Sequence, residues 1–239
     1  MSIVKNELRV GRFTSSEIYL LAAGKTGFIK SGYTYIEKKF FERKINRSLD
    51  MGKYGQSAQW GLFLERYVFS HFMGLKYEIA ATETKINPEL DCHAGSADLV
   101  EKGVKVGDIK CYEPLNFCRM AECFALNDVQ EFKNQFPKEY WQLVSNAIIY
   151  GTDRAELILY MPNLQELQEI RDLAMDHEGS DQWKFRFITE NEDYQLPYVP
   201  DEAAYENLNR FEFEVPQVDK DFLIDRIKEA DKIIKERLK

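Results

Sequence analysis

Long apolar runs are missing from this 239-residue chain. No stretch reaches the roughly 18 consecutive apolar residues of a membrane-spanning helix, and Met1-Ser2-Ile3-Val4-Lys5-Asn6 carries no apolar secretory core. A soluble, cytoplasmic protein with no membrane partner is therefore expected. Cysteine is scarce as well. Its four copies, Cys92, Cys111, Cys118 and Cys123, form no C-x-x-C pair, and His71, His93 and His177 lack zinc-ligand spacing. No zinc site is expected on that pattern, and the cysteine spacing matches no iron–sulfur arrangement, so reduced, packed thiols are expected. Internal repeats, low-complexity tracts and a clear linker are also absent, so one domain over 1–239 is expected. Only Glu190 to Glu206, rich in acids, Tyr and Pro, reads as an excursion from the core.

What is present supports a folded enzyme-sized core: 44% of residues are apolar and 13% aromatic, enough to bury a sizeable interior. The net charge of −8 argues against a general nucleic-acid coat. The charge is uneven, however. From Lys5 to Lys53 the bases Lys5, Arg9, Arg12, Lys25, Lys30, Lys38, Lys39, Arg43, Lys44, Arg47 and Lys53 outnumber Glu7, Glu17, Glu37, Glu42 and Asp50. This basic, helical N-terminal part, about 1–54, suits phosphates, although the Lys38 to Arg47 cluster reads equally well as a solvated helix face.

Periodicity and end signals divide the chain into elements. Thr14-Ser15-Ser16-Glu17 has the hydroxyls and first-turn acid of a helix start, with apolar Ile18, Leu20, Leu21 and Ala22 behind it. A second helix is expected over Tyr33 to Asn46. A third covers Ser57 to Phe72, with Trp60, Leu64, Tyr67, Val68 and Phe72 on one face and Gly61 and Glu65 at its edge. Tyr140 to Gly151 reads as an apolar helix closed by glycine, with Gln142 as its odd polar residue. Strands are expected at Ala155 to Met161, Trp183 to Thr189 and Arg210 to Val215, and a helix at Asn163 to His177. A last helix, Asp219 to Lys239, has the stripe Leu223, Ile227, Ala230, Ile234, Leu238, which either packs on its own sheet or meets another copy.

The stretch from Gly95 to Lys110 carries the strongest chemical signal. Leu99-Val100 and Val104 to Ile109 read as two strands joined by a Glu-Lys-Gly turn whose glycine tolerates positive φ. Counting from a pivot near Gly103 sets Asp98 opposite Asp108. Alternation puts Asp108 and Lys110 on one face and Ile109 into the core. Two carboxylates and an ammonium then converge at a sheet end, which suits a divalent cation and phosphodiester hydrolysis. In a chain so rich in charge, the same pattern also arises on an ordinary solvated hairpin. Glu65, on a semi-buried face, needs a partner, either a metal or a nearby base.

Taken in order, a helix carboxylate, an Asp, an Asp-x-Lys and a helix with Gln resemble the PD-(D/E)XK nucleases. Leu8-Arg9-Val10-Gly11-Arg12-Phe13-Thr14-Ser15-Ser16-Glu17-Ile18, Trp60-Gly61-Leu62-Phe63-Leu64-Glu65, Gly95-Ser96-Ala97-Asp98, Asp108-Ile109-Lys110 and Tyr140-Trp141-Gln142 are similar to successive motifs of the lambda-exonuclease-like (YqaJ) phage recombinases. Two positions depart: Asp108 stands where the family more often has Glu, and Ala97 where it often has Pro.

The resemblance implies an α/β fold, a restriction-endonuclease-like α/β/α core around a central mixed sheet. It implies 5′→3′ digestion of one strand of linear double-stranded DNA in phage-type recombination, inside a bacterial host. It assigns Glu65, Asp98, Asp108 and the Ile109 carbonyl to Mg²⁺, for which Mn²⁺ can substitute. Lys110 would orient and help deprotonate the attacking water, with Gln142 positioning it. Arg9, Ser16 and Ser96 match positions that grip a terminal 5′-phosphate; the plainer reading has Ser16 cap the helix and Arg9 pair with Glu7. Implied partners are duplex DNA ends, a single-strand annealing protein and two further copies in a ring-shaped homotrimer. A structure-specific endonuclease of the same superfamily and a catalytically silent DNA-binding or assembly protein are the competing readings.

Overall fold

The computed structural model describes residues 7–24, 26–50, 55–73, 77, 83–177 and 182–239; Lys5, Lys25 and Lys53 lie outside them. Near the middle of the chain β4 (Leu99–Glu101) turns back into β5 (Lys105–Lys110). Gly103 sits in this turn at φ 72°, a left-handed conformation that costs a residue without Cβ little. β5 then runs parallel to β6 (Arg154–Tyr160), and β6 antiparallel to β7 (Leu208–Glu214), giving a mixed sheet of order β4-β5-β6-β7. A second, three-stranded sheet has β1 (Phe13–Thr14) parallel to β3 (Leu90–Gly95) and β2 (Lys85–Asn87) antiparallel to it.

Strand alternation sends the four-stranded sheet's side chains into two cores. Val106, Ala155, Leu157, Leu159, Phe211 and Phe213 face one helical layer. This layer holds α1 (Tyr19–Ala22), α2 (Lys30–Ile45), α4 (Pro114–Ala125), α5 (Val129–Gln135), α6 (Pro137–Tyr150) and α9 (Gln217–Leu238), with α3 (Gln56–Val68) on the opposite side. Leu99, Ile109, Ile158 and Tyr160 face that opposite layer of α3, α7 (Leu164–Met175) and α8 (Arg186–Glu190). The result is the expected α/β/α arrangement around a mixed sheet. No helix of the described residues is long and apolar enough to cross a membrane.

Local chemistry accounts for the helix ends. Pro137 opens α6 and Gly151 closes it. Asn163 and Glu166 form a reciprocal capping box on α7, which satisfies two backbone donors at once. On α9, Leu223, Ile227, Ala230 and Ile234 are fully buried within the same core as α1, α2 and α6. At about 1.5–3 kcal/mol for each large aliphatic residue, this face is a main tie between the N- and C-terminal segments. The stripe is thus spent inside the chain; Leu238 alone falls off it, 45% exposed.

Four expectations need correction. Trp183 to Thr189 is not a strand but a 3₁₀ turn, Gln182–Lys184, followed by α8. Its aromatic alternation suggested period two, yet the buried residues are Phe185 and Ile188 at helical spacing, while Trp183 is exposed. The third helix gives way at Phe69–Met73 to a π-turn, whose wider pitch buries Met73 and leaves Phe72 exposed. Thr14 to Glu17 holds the end of β1 and a single 3₁₀ turn, Ser15–Glu17, before the four-residue α1. The basic cluster is largely spent on ion pairs: Lys38 with Glu17 and Asp50, Lys39 with Glu42, and Arg43 with Asp231.

Candidate active site

The β4–β5 hairpin builds the first part of the site. Its register pairs Leu99 with Gly107 and Glu101 with Lys105, which carried one residue further sets Asp98 opposite Asp108. Asp98 Oδ2 accepts a hydrogen bond from the Ile109 amide at 2.9 Å. Asp108 is 1% exposed, and its Oδ2 forms an ion pair with Lys110 Nζ. Gln142 reaches down from α6 and donates from Nε2 to Asp108 Oδ1 at 2.8 Å. Its burial removes the reading of Gln142 as a solvent-facing residue.

Electrostatics bind these groups into one unit. Burial, then the charges of Asp108 and Glu65, hold the Asp98 carboxyl well above the usual carboxylate range, against the pull of Lys110. Burial works against the Lys110 ammonium too, but Asp108, Tyr112 and Asp98 outweigh it and keep the group charged well past the usual lysine range. Lys110 therefore acts here as a fixed positive charge.

Carboxylate and carbonyl oxygens are the donors that Mg²⁺-like cations take. Asp108 Oδ2 is fully buried and faces the Lys110 ammonium without a well-directed hydrogen bond, so a bound cation would share this oxygen with the ammonium or replace it there. The donor set therefore fits such an ion in kind. Among the described residues no three His, Cys, Asp or Glu side chains are drawn together closely enough to hold a metal ion. Asp98 and Asp108 stand together, and half-buried Glu65 acts on Asp98 through its charge.

The N-terminal motif lies at the end of the other sheet. Arg9 Nη2 donates to Ser16 Oγ at 2.9 Å, and no side chain caps the turn that follows Thr14. The β1–β3 register, Phe13 with His93 and Thr14 with Ala94, leads into the Ser15–Glu17 turn, where Ser15 Oγ stands against Gly95. Behind them, Ser15 and Ser145 hydroxyls lie 2.8 Å apart, His93 Nε2 lies 2.7 Å from Ser145 Oγ, and Asn87 Nδ2 lies 3.1 Å from His93 Nδ1. Gly95 allows this approach, because a Cβ there would collide with Ser15 Oγ and meet Asn146 Oδ1 at 2.9 Å. Burial pushes the His93 imidazole down to about 3, so the ring is neutral; because the Asn87 amide nitrogen faces Nδ1, the ring proton sits on Nε2 and is donated to Ser145.

One helix joins both parts. Along α6, Glu139, Gln142, Ser145 and Asn146 recur about one turn apart on a buried side. Glu139 accepts from the Tyr112 hydroxyl at 2.6 Å. Both amide atoms of Asn146 are buried without a hydrogen-bond partner among the described residues. Sequence reasoning selected only Gln142 from this row. The signal was available: polar residues three apart in an otherwise apolar helix share a face and need buried partners. His93 and Tyr112 had no such signal, since their partners are far away in the chain.

Fold and geometry together define a class: a restriction-endonuclease-like α/β/α domain with an Asp–Asp–Lys cluster on its central sheet. The chain is similar in fold to LHK-Exo, the alkaline exonuclease of Laribacter hongkongensis. Against its complex with dAMP the TM-score is 0.63 at 11% identity, covering 98% of this chain and 92% of that one. Against a second structure of the same exonuclease it is 0.58 at 12% identity, covering 95% and 92%. A phage-related exonuclease from Haemophilus somnus 129PT gives 0.59 at 11% identity, covering 95% of both chains. At such identities the likeness is one of fold. No protein-family model matches the sequence, and no curated protein does either.

Proposed function

We propose that this protein is a metal-dependent deoxyribonuclease that digests one strand of linear duplex DNA 5′→3′, in phage-type recombination in the bacterial cytoplasm. The observation that carries this reading is the Asp98–Asp108–Lys110 cluster, with Asp108 buried and Asp98 and Lys110 half-buried beside it, braced by Gln142, in a fold similar to two exonucleases. The complex of one of them with dAMP fits a chemistry that releases nucleoside monophosphates.

Glu65, Asp98, Asp108 and the Ile109 carbonyl would hold Mg²⁺, with Mn²⁺ as a substitute, and that ion supplies Lewis-acid polarisation and an activated water. Lys110 places a positive charge beside the scissile phosphate, where negative charge develops. Gln142 fixes the Asp108 carboxylate by holding one oxygen, while the other faces the Lys110 ammonium. Arg9, Ser16 and Ser96 offer a guanidinium and two hydroxyls to a terminal 5′-phosphate, a charge-assisted grip that each cut would renew. An annealing protein that takes the exposed single strand and a ring-shaped homotrimer complete the proposal; with the α9 stripe buried, a ring would use other surfaces.

Linear and covalently closed circular duplexes incubated with Mg²⁺ test the reading. Loss of linear DNA only, abolished in Lys110→Ala and Asp98→Ala with DNA binding retained in gel shifts, is the expected result. Cutting of circles would replace it with the endonuclease reading, and no cutting with the silent one. Mg²⁺ at a hundredfold excess over its Kd should stabilise the fold by about 2.7 kcal/mol, and a Glu65→Ala, Asp108→Ala double variant should lose that gain. Faster digestion from 5′-phosphate than from 5′-hydroxyl ends, with the difference narrowed in Arg9→Ala, tests the end anchor.

A further inference from the structure

The end of β3 is flanked from both sides. The strand order β1-β3-β2 sets the Ser15–Glu17 turn on one side of Gly95, with Arg9 donating to Ser16. On the other side lies β2, where Lys85 is the register partner of Gly95. Directly opposed residues of an antiparallel pair send their side chains to the same face. On that face a Cβ at Gly95 would meet Ser15, Ile149 and Asn146, so Lys85 extends towards the C-terminal end of α6. There its ammonium lies 4.6 Å from the ring centroid of Tyr150, the last residue of α6. The Tyr150 phenol oxygen faces the Ala97 backbone amide. Lys85 is thereby held beside the segment that carries Ser96 and leads into Asp98.

This lysine is engaged differently from most others in the fold. Lys38, Lys39, Lys105, Lys133 and Lys220 each meet a carboxylate, whereas exposed Lys85 forms no ion pair among the described residues. An aromatic face attracts a cation without taking up its hydrogen bonds, so the three donors of the ammonium stay available. Burial raises the Tyr150 phenol above the usual tyrosine range, and the charges of Asp98 and Glu83 add to this; the ring under Lys85 is therefore neutral. A terminal phosphate carries close to two negative charges at neutral pH, and Arg9 matches one of them. Neighbouring strands lie about 4.8 Å apart, so β1 and β2 stand about 10 Å apart across β3, a gap that two long cationic side chains can close around one phosphate. We propose that Lys85, aimed by the Tyr150 ring, is the second cation of the end-phosphate site, closing on a terminal 5′-phosphate from the β2 side while Arg9 and Ser16 hold it from the β1 side. Lys85 takes this role only if the end anchor of the nuclease reading holds, and it adds the match for the second charge.

The test is fluorescence anisotropy with a hairpin duplex that has one open end, bearing either a 5′-phosphate or a 5′-hydroxyl, in EDTA so that no strand is cut. Lys85→Gln removes the charge at an exposed position, and Lys85→Arg keeps it. The wild type should bind the 5′-phosphate duplex more tightly. Lys85→Gln should reduce that preference about fivefold, the scale of one exposed ion pair, with affinity for the 5′-hydroxyl duplex held. Lys85→Arg should retain the preference. With Mg²⁺ and DNA below saturation, the ratio of digestion rates from the two ends should fall by the same factor in Lys85→Gln. An unchanged preference in Lys85→Gln would overturn the proposal and leave the anchor to Arg9. Equal weakening on both duplexes would also overturn it, making Lys85 a contact to internal phosphates. A wild type indifferent to the end group would instead remove the anchor reading, and the role of Lys85 with it.

Discussion

His93 offers a clean way to read a buried network through pH. Its ring is fully buried, donates from Nε2 to Ser145 and receives the Asn87 amide at Nδ1. Asn87 cannot simply turn its amide over, because its Oδ1 already accepts from the Glu89 backbone at 2.9 Å. A second ring proton would face a donor, and burial alone pushes the group down to about 3. With the folded pKa below the unfolded one, the stabilising contribution is complete above pH 6.5. It is lost as the pH falls from there towards 3, because the unfolded chain takes up the proton first. Between pH 7 and pH 5 an ordinary imidazole gains most of a proton, so this one residue should remove about 2 kcal/mol of stability. For a domain of this size that corresponds to ~5 °C in Tm. The assay is urea unfolding of wild type and His93→Gln at both pH values, with EDTA throughout. Carboxylates titrate in both proteins, so the difference between the two pH profiles isolates the imidazole. The wild type should lose about 2 kcal/mol more than the variant over this interval. Parallel profiles would refute the neutral, locked histidine.

Three further outcomes follow from the packing and charge. Gly95→Ala should lower stability by about 1–3 kcal/mol in urea unfolding, since its new methyl meets Ser15, Ile149 and Asn146 together; an unchanged midpoint would mean that the β3 end has room. Ile227→Ala should cost about 2–5 kcal/mol, with the same concentration dependence of Tm as the wild type, because α9 packs within its own chain; a concentration dependence altered by the substitution would place that face at a subunit contact. The raised Asp98 carboxyl makes the folded state bind more protons than the unfolded one. Stability of the metal-free protein should then decline as pH rises above the usual carboxylate range. Asp98→Asn should raise Tm at pH 8 but not at pH 4, and an equal gain at both would show that charge is not the cause.

The hairpin was readable from sequence because its information is local: a Gly103 turn and strict alternation fix which residues oppose. Gln142 stands out in the sequence as the polar residue of an apolar helix and Glu65 as a carboxylate at the edge of an apolar face, and the long stripes of α6 and α9 place those helices to within a few residues. The small sheet left little trace, as β1 and β2 are two and three residues long and their pairing joins distant parts of the chain. The α4 face, with Phe117, Met120, Ala121 and Phe124 buried at helical spacing, is present in the sequence pattern. The His93–Ser145–Ser15 and Tyr112–Glu139 contacts span from 27 to 130 residues. No local pattern reports such pairs, since the fold alone brings them together.

The row of polar groups on α6 constrains how this chain can change over evolutionary time. A helix turns by roughly 100° and rises about 1.5 Å per residue. One residue inserted between Glu139 and Ser145 would swing the later partners to another side of the helix. Substitutions along the row can be tolerated singly, whereas a change in its length would uncouple the hairpin from the serine turn in one step. Among related chains, loops should grow and shrink freely while the count from Glu139 to Asn146 stays fixed, a rule of spacing that outlasts the identity of the residues that obey it.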